Sequence, residues 1–456
     1  MRFVADLLYL LFGLLYLPVA LYQAVVLGKN RTGWGERFGS VAVRDPERER
    51  LWIHAVSLGE VNATPRLVEG LREALPETDL VFSTTTDTGY ARAVQLYGYE
   101  NVFRFPLDFS LVIGRVLRRV RPTMVVLIEL EVWYNLGLMA ARRGIPVVVA
   151  NGRLTARSAS RLGRVGFAAR RMFGDLAWVG AQDEAIAERF RDLGTRPDRI
   201  GVTSSLKWDS AHVAERIDGA DALARAMGID ASRPLWVCGS TGPGEEEIVL
   251  AAYRRLLSHW SGLAQGVQVE SASESAPPSP VLAIVPRKPE RFDEVARLID
   301  RSGFSCIRRS ACSDGQARSL DAPCVLLIDT MGELRKAYSL ADAVFVGRSL
   351  VPLGGSDPIE VAALGKAVVV GPHTDNFAVP VAAFRDADAL REVHSADELA
   401  DAIGAILHDK RGANEMGERA RRVVLSHQGA TKRTVERIVG VLRTSAHGTR
   451  TEPYRK

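Results

Sequence analysis

LWIHAVSLGEVNATPRLVEGLREALPETDLVFSTTTDTG, residues 51–89, decides the fold. It opens on a strand-like run, LWIHAVS (51–57), and turns through Leu58 and Gly59 into a helical stretch over 60–75. It closes on a second strand, DLVFSTT (79–85), before a helix expected near 87–98. Short β-branched and aromatic runs, bounded by Gly and Pro and separated by helix-length segments, are the pattern of a parallel sheet wound with helices.

The pattern extends both ways. NVFRFP (101–106) precedes a helix near 110–120, and MVVLIE (124–129) precedes one from Trp133 to Arg143. PVVVAN (146–151) and LAWVGAQ (176–182) continue it. After a less regular stretch near 210–230 the rhythm restarts with PLWVCGS (234–240) and a helix from Pro243, then VLAIVP (281–286) and a helix near 288–302. CVLLID (324–329), AVFVG (343–347) and AVVVG (367–371) follow. The expected fold class is α/β, two Rossmann-like halves meeting near residues 207–231, with a ligand cleft between them at the carboxyl ends of the strands.

Composition is that of ordinary globular domains: 456 residues, 47% hydrophobic and 25% charged. Lys and Arg number 59 against 54 Asp and Glu, a net +5, and part of the excess sits in the last fifteen residues. That distribution, with no zinc-knuckle, homeodomain or RNA-binding signature, speaks against a nucleic-acid partner. Cys238, Cys306, Cys312 and Cys324 form no CxxC pair and read as reduced thiols in a cytosolic compartment.

Leu7 to Leu27 is a run of 21 residues without a charge, followed by Lys29, Arg31, Arg37 and Arg44. A helix of that length is about 30 Å long, the thickness of a bilayer's hydrocarbon core. Residues 1–30 are therefore expected to be a membrane anchor, spanning or interfacial, with the positive-inside rule placing the body in the cytoplasm. The alternative is a buried core helix. Gln265–Pro280 and residues 309–321 read as insertions, and the polar, basic tail 444–456 as disordered.

Six motifs stand where strands end. In HAVSLGE (54–60), Glu60 is either a capping acid in the first helical turn or a general base; His54 could equally be a satisfied core residue. In LIELEVWYN (127–135), Glu129 and Glu131 end an apolar strand, and the pattern leaves cleft and cap both open. In SSLKWD (204–209), Lys207 is a surface lysine or a cation for an anionic ligand. In VPRKPERF (285–292), Arg287 and Lys288 oppose a helix dipole, and a bound phosphate would supply the reason. In DTMGELRKAY (329–338), Gly332 and Glu333 open a helix whose N–H groups suit a nucleotide. In the stretch from Gly347 to Phe377, Gly354-Gly355 admits close approach to a ligand, Pro358 suits a first helical turn, and Glu360 could accept ribose hydroxyls. No Walker A, HExxH, GxSxG or clear DxD sequence is present.

These motifs, with WGERFG, TTTDTG (84–89) and NGRLTARS, occur in the order in which they stand in the bacterial 3-deoxy-D-manno-octulosonic acid (Kdo) transferases of lipid A assembly, which the chain resembles from its first helix to near Arg443. The resemblance implies a GT-B fold behind an N-terminal anchor (1–30), an acceptor-binding domain (31–210) and a CMP-sugar-binding domain (231–443). It implies an inverting, metal-independent transfer of Kdo from CMP-Kdo to the tetraacyl-disaccharide lipid A precursor, lipid IVA, at the cytoplasmic face of the inner membrane, without a cofactor. It makes Glu60 the proton acceptor, Glu129 and Lys207 transition-state stabilisers, and Arg287, Lys288, Met331, Gly332, Glu333, Asp357, Pro358, Ile359 and Glu360 the CMP contacts. The chain departs from the family at Lys288 (usually His), Asp357 (usually Asn), Arg348 and Ser204 (both usually Gly). Another GT-B transferase or a sugar-nucleotide epimerase, or a membrane-tethered scaffold without activity, are the competing readings.

Overall fold

The computed structural model of the chain describes residues 2–25, 32–130, 132–214, 216–230, 232–266, 278–313, 320 and 323–448. Two compact units result, Met1–Ser210 with His427–Lys456, and Ala211–Ser426.

The first unit holds seven parallel strands: β1 (Arg50–His54), β2 (Asp79–Thr84), β3 (Val102–Arg104), β4 (Met124–Ile128), β5 (Val147–Gly152), β6 (Trp178–Ala181) and β7 (Ile200–Val202), in the order β3-β2-β1-β4-β5-β6-β7. Strands β1 and β4 are neighbours with His54 opposite Leu127, so the strand order reverses between them. Both are buried along their whole length, which is why β4 is an unbroken apolar run and β1 is apolar between its end residues Arg50 and His54. The alternation of side chains separates two cores. Trp52, Val125, Leu127 and Val149 face one layer of helices, and Leu51, Ile53, Val126 and Val148 face the other.

Helix Ala430–Gly448 belongs to this unit. Its Val435, Ile438, Val439 and Leu442 share a core with Leu67, Val68 and Leu71 of helix Pro65–Ala74. Residues 427–443 therefore pack with the first unit, not with the second as the sequence suggested. Residues 444–448 continue the helix, correcting their assignment to a disordered tail; 449–456 lie outside the described residues. The helix expected over 60–75 is two, Leu58–Asn62 and Pro65–Ala74, because Pro65 donates no N–H and begins the second.

The second unit repeats the design with β8 (Leu235–Thr241), β9 (Val281–Pro286), β10 (Ser305–Arg308), β11 (Cys324–Leu327), β12 (Ala343–Val346), β13 (Val368–Val370) and β14 (Leu390–Glu392), all parallel, in the order β10-β11-β9-β8-β12-β13-β14. Here the order reverses between β8 and β12. Residues 267–277 and most of the insertion at 309–321 lie outside the described residues; Arg309–Ala311 forms a 3-10 turn after β10. All four cysteines are free thiols.

The N-terminal segment forms one helix, Arg2–Val25, continuous through Pro18. Among the described residues no helix is long and apolar enough to cross a membrane. The helix is held to the first unit by its polar residues. Asp6 accepts hydrogen bonds from the Ser110 amide (2.8 Å), the Ser110 hydroxyl and Asn135 Nδ2 (2.9 Å), and Tyr9 meets Phe109 edge-on. Phe3, Leu7, Leu11, Leu14 and Leu15 stay exposed, Leu15 at 81%.

Candidate active site

In the first unit the singled-out residues stand at the carboxyl edge of the sheet. Ser57 caps helix Leu58–Asn62, its hydroxyl accepting from the Glu60 amide (3.4 Å). The Glu60 carboxylate reaches back to the Val56 N–H (2.8 Å) and the Ser57 hydroxyl (3.0 Å). This is a variant of the capping box in which the Glu60 carboxylate takes the amide before the N-cap, so the capping reading of Glu60 describes its geometry. A carboxylate has room for about four hydrogen bonds, so a cap fixes its orientation without using up its acceptor capacity. The half-buried carboxylate is thereby held beside the end of β1.

Glu129 follows β4 with φ of 63°, a left-handed conformation that a non-glycine residue adopts at a cost of roughly 1–3 kcal/mol. Its N–H donates to Ala150 O at 3.0 Å. Glu60 and Glu129 thus flank the point where the strand order reverses, the position at which open α/β sheets bind ligands. Glu131 lies outside the described residues.

Lys207 starts a short helix, Lys207–Ser210, after the edge strand β7. The loop before it is drawn back over the sheet by Asn151, at the end of β5, whose Oδ1 accepts the Leu206 N–H at 3.1 Å. On the other side the Asp209 carboxylate accepts from the Gly429 (2.7 Å) and Thr431 (2.5 Å) amides, and Trp208 stacks on His427 at 4.5 Å. Ser204 in this loop has φ of 69°.

His54 is a core residue. It is fully buried, stacks on Phe105 at 3.9 Å, and its Nδ1 lies 2.9 Å from the Ser83 hydroxyl. Burial pushes its pKa down to about 3, so the ring stays neutral at working pH.

In the second unit the loops after β9, β11 and β12 carry the residues expected to contact the donor. Arg287 and Lys288 follow β9 and are exposed, with the Arg287 N–H on Thr241 O at 3.1 Å and Lys288 3.5 Å from Glu290. Glu360 opens helix Ile359–Ala362 behind Pro358. Burial raises its pKa, and the Arg335 and Arg287 guanidinium groups act against that rise. Asp357 accepts the Ile359 N–H at 2.9 Å, a turn-capping bond that Asn would make equally well. Met331 is 73% exposed and Gly332 has φ of 83°. The Glu333 carboxylate is taken up by Arg309 (3.1 Å), Lys336 (3.8 Å) and the Thr330 hydroxyl, so it serves the loop's own structure.

Sequence reasoning passed over several residues that shape these loops. Glu245 is fully buried, and its carboxylate collects the amides of Arg348 (2.5 Å), Ser349 (2.9 Å), Leu350 (3.0 Å) and Gly242 (3.2 Å). Burial raises its pKa and these four N–H groups pull against the rise. Its neighbour Glu246 makes a two-pronged pair with Arg291 at 2.6 and 3.0 Å, which also takes in the Thr241 hydroxyl. Arg335 donates to His212 O at 2.7 Å. The acidic run at 245–247, directly after a glycine-containing turn, was the available signal for Glu245 and Glu246. Among the described residues no group of three His, Cys, Asp or Glu could hold a metal ion.

Two parallel Rossmann-like sheets, each with candidate ligand loops at its carboxyl edge, define the GT-B class of folds. Solved structures share it. UDP-GlcNAc 2-epimerase from Neisseria meningitidis bound to UDP-GlcNAc superposes with a TM-score of 0.53 at 14% identity, covering 86% of this chain and 100% of that one. MurG from Acinetobacter baumannii gives 0.50 at 16% identity over 86% and 99%. At such identities the likeness concerns the fold alone.

Sequence relationships go further. Residues 32–210 match the family model described as 3-deoxy-D-manno-octulosonic-acid transferase (kdotransferase). The 3-deoxy-D-manno-octulosonic acid transferase of Haemophilus influenzae is 33% identical over 412 residues, covering 90% of this chain and 91% of that protein. The transferase of Bordetella pertussis is 34% identical, covering 88% and 90%. The chain belongs to the 3-deoxy-D-manno-octulosonic acid transferase family, glycosyltransferases of lipopolysaccharide biosynthesis.

Proposed function

We propose that this chain transfers Kdo from CMP-Kdo to the tetraacyl-disaccharide lipid A precursor with inversion, Glu60 acting as the base. The observation that carries this reading is the position of Glu60 and Glu129 at the ends of β1 and β4, the pair of strands across which the sheet order reverses. A sugar hydroxyl is a weak nucleophile until its proton is removed in the transition state. Glu60 takes that proton as the new C–O bond forms at the anomeric carbon of Kdo. The bond from that carbon to the CMP phosphate breaks in the same displacement, and CMP leaves as an anion.

Glu129 then faces the developing positive charge at the anomeric centre, and Lys207 the developing negative charge on the phosphate. The second unit takes the nucleotide. Arg287 and Lys288 attract its phosphate, the backbone around Met331, Gly332 and Glu333 lies against the nucleotide, and Asp357 to Glu360 meet the cytidine ribose. A donor with one phosphate is already activated, so no bridging metal is required, and turnover is expected to persist in EDTA.

The membrane role of the first helix is part of the same proposal. Its exposed leucines, and the exposed Val165 and Phe167 beside the exposed Arg157, Arg161, Arg164 and Arg170, suit an anionic bilayer surface such as the cytoplasmic face of the inner membrane. Anchoring there raises the local concentration of a lipid acceptor.

The test is Glu60→Gln, which keeps the side chain's shape. Transfer of Kdo, followed by mass spectrometry of the lipid product, is expected to fall by about 10²–10⁴-fold, with CMP affinity and thermal stability little changed. Near-normal transfer by this variant removes the proposed base.

A further inference from the structure

The structure assigns Asn151 as a positioning residue for Lys207, an inference that rests on the catalytic role proposed for that lysine. Asn151 is fully buried at the end of β5 and sits in the left-handed region with φ of 57°. The β5–β6 register shifts between Val149 and Gly152, so a bulge turns residue 151 away from the regular ladder. Its Oδ1 accepts two hydrogen bonds, from the Leu206 N–H and from Gln182 Nε2, both at 3.1 Å. The same Gln182 amide also reaches Asn151 O at 3.1 Å. Asn151 Nδ2 is buried with no hydrogen-bond partner among the described residues.

Three costs therefore meet in one residue: a bulge, a left-handed backbone and a buried amide N–H without an acceptor. Such costs persist where the surroundings enforce them, and they gather at functional sites. Their return here is a tie across the sheet. Lys207 follows β7, at the far edge and two strands from β5. Without the Asn151 bond nothing else among the described residues holds the Leu206 amide over the end of β5. With it, a short relay runs from Glu129 N–H to Ala150 O, through Asn151 Oδ1 to Leu206 N–H, and so to Lys207. The two proposed transition-state groups are registered against each other through this one side chain.

The experiment is a double-mutant cycle in the full chain between Asn151→Gly and Lys207→Ala. Glycine tolerates the left-handed backbone and deletes the tie. With Lys207 present, Asn151→Gly is expected to lower kcat on the order of 10²-fold, as for a misplacement of about 1 Å, while KM for CMP-Kdo and the affinity for CMP stay near wild type. In the Lys207→Ala background the same change is expected to cost less than about twofold, because coupled residues are non-additive. Additive losses, or an unaffected kcat in the single variant, overturn the inference and leave the role of Lys207 standing. If Lys207→Ala turns over normally, the proposed role of Lys207 fails and this inference fails with it. Should Asn151→Gly not fold, Gln182→Leu, which strips one support from Asn151 without altering residue 151, goes through the same cycle: non-additive losses support the tie and additive losses overturn it.

Discussion

Ser204 and Arg348, where the resemblance noted in the sequence leads one to expect glycine, both have positive φ, 69° and 61°. Both loops turn left-handed as they leave the carboxyl ends of their strands, a conformation that favours glycine. The side chains carry a local strain that glycine would relieve, less the entropy glycine loses on folding. Ser204→Gly is expected to raise stability by about 1 kcal/mol in urea unfolding. Arg348→Gly should gain less, since the guanidinium donates to Leu353 O at 2.9 Å.

Two buried titratable groups in the first unit pull stability in opposite directions. Burial raises Asp108 to about 7, although the Asn135 and Leu136 amides work against it. The folded state therefore holds a proton that the unfolded state releases, and stability falls as pH rises from about 4 to about 7. His54, lowered to about 3, has the reverse effect: the unfolded state takes up a proton below about 6.5, and stability rises with pH over that range. Between about pH 4 and 6.5 the two slopes cancel. Asp108→Asn is expected to unmask the histidine, so that unfolding free energy rises by about 1.2 kcal/mol from pH 5 to pH 6. A flat profile in that variant would refute the assignment.

At the scale of elements, the loops of the second unit are shaped by two adjacent acids with different tasks. Glu246→Ala leaves the buried Arg291 guanidinium with only the exposed Glu294, at 2.9 Å, as an acid partner. It should cost about 1–3 kcal/mol, measured by thermal or urea melts. Glu245→Ala frees the three successive amides of residues 348–350, and here the expected signature is a rise in KM for CMP-Kdo larger than any fall in kcat.

Which elements were legible in the sequence follows from burial. Strands β1, β4, β5 and β8 read directly because both faces are covered, so their middles are apolar runs, with polar residues such as Arg50, His54 and Asn151 at or next to their ends. Strands β7, β10 and β14 did not, being three or four residues long with exposed or half-buried positions, at or near the sheet edges. Glu60 and Glu129 were visible as carboxylates ending apolar runs. Asn151 and Glu245 were not, because what defines them is a bonded amide 55 residues away in one case and about a hundred in the other. The amphipathic period of Ala430–Gly448 announces a helix but not the sheet it packs on.

At the scale of the molecule, the first helix presents apolar side chains outward while Asp6 and Tyr9 fasten it inward. If the helix rests on a bilayer as proposed, replacing the exposed Leu11 and Leu15 by Asp is expected to shift the protein to the soluble fraction in flotation assays without changing its melting temperature. Unchanged flotation would mean that other surfaces hold it. Asp6→Ala has the opposite expected profile: any flotation is retained, while the helix loses three polar ties to the body.

The seam at Asp209, where the Gly429 and Thr431 amides are bound, has a consequence for synthesis. The half that leaves the ribosome first lacks one wall of its hydrophobic interior until residues 430–448 are made. At about 5–20 residues per second, that wait lasts roughly ten to forty seconds, long enough for the later half to form. The opening domain spends that interval with the core around Leu67, Val68 and Leu71 lacking the cover that Val435, Ile438, Val439 and Leu442 later supply, an apolar surface suited to a chaperone.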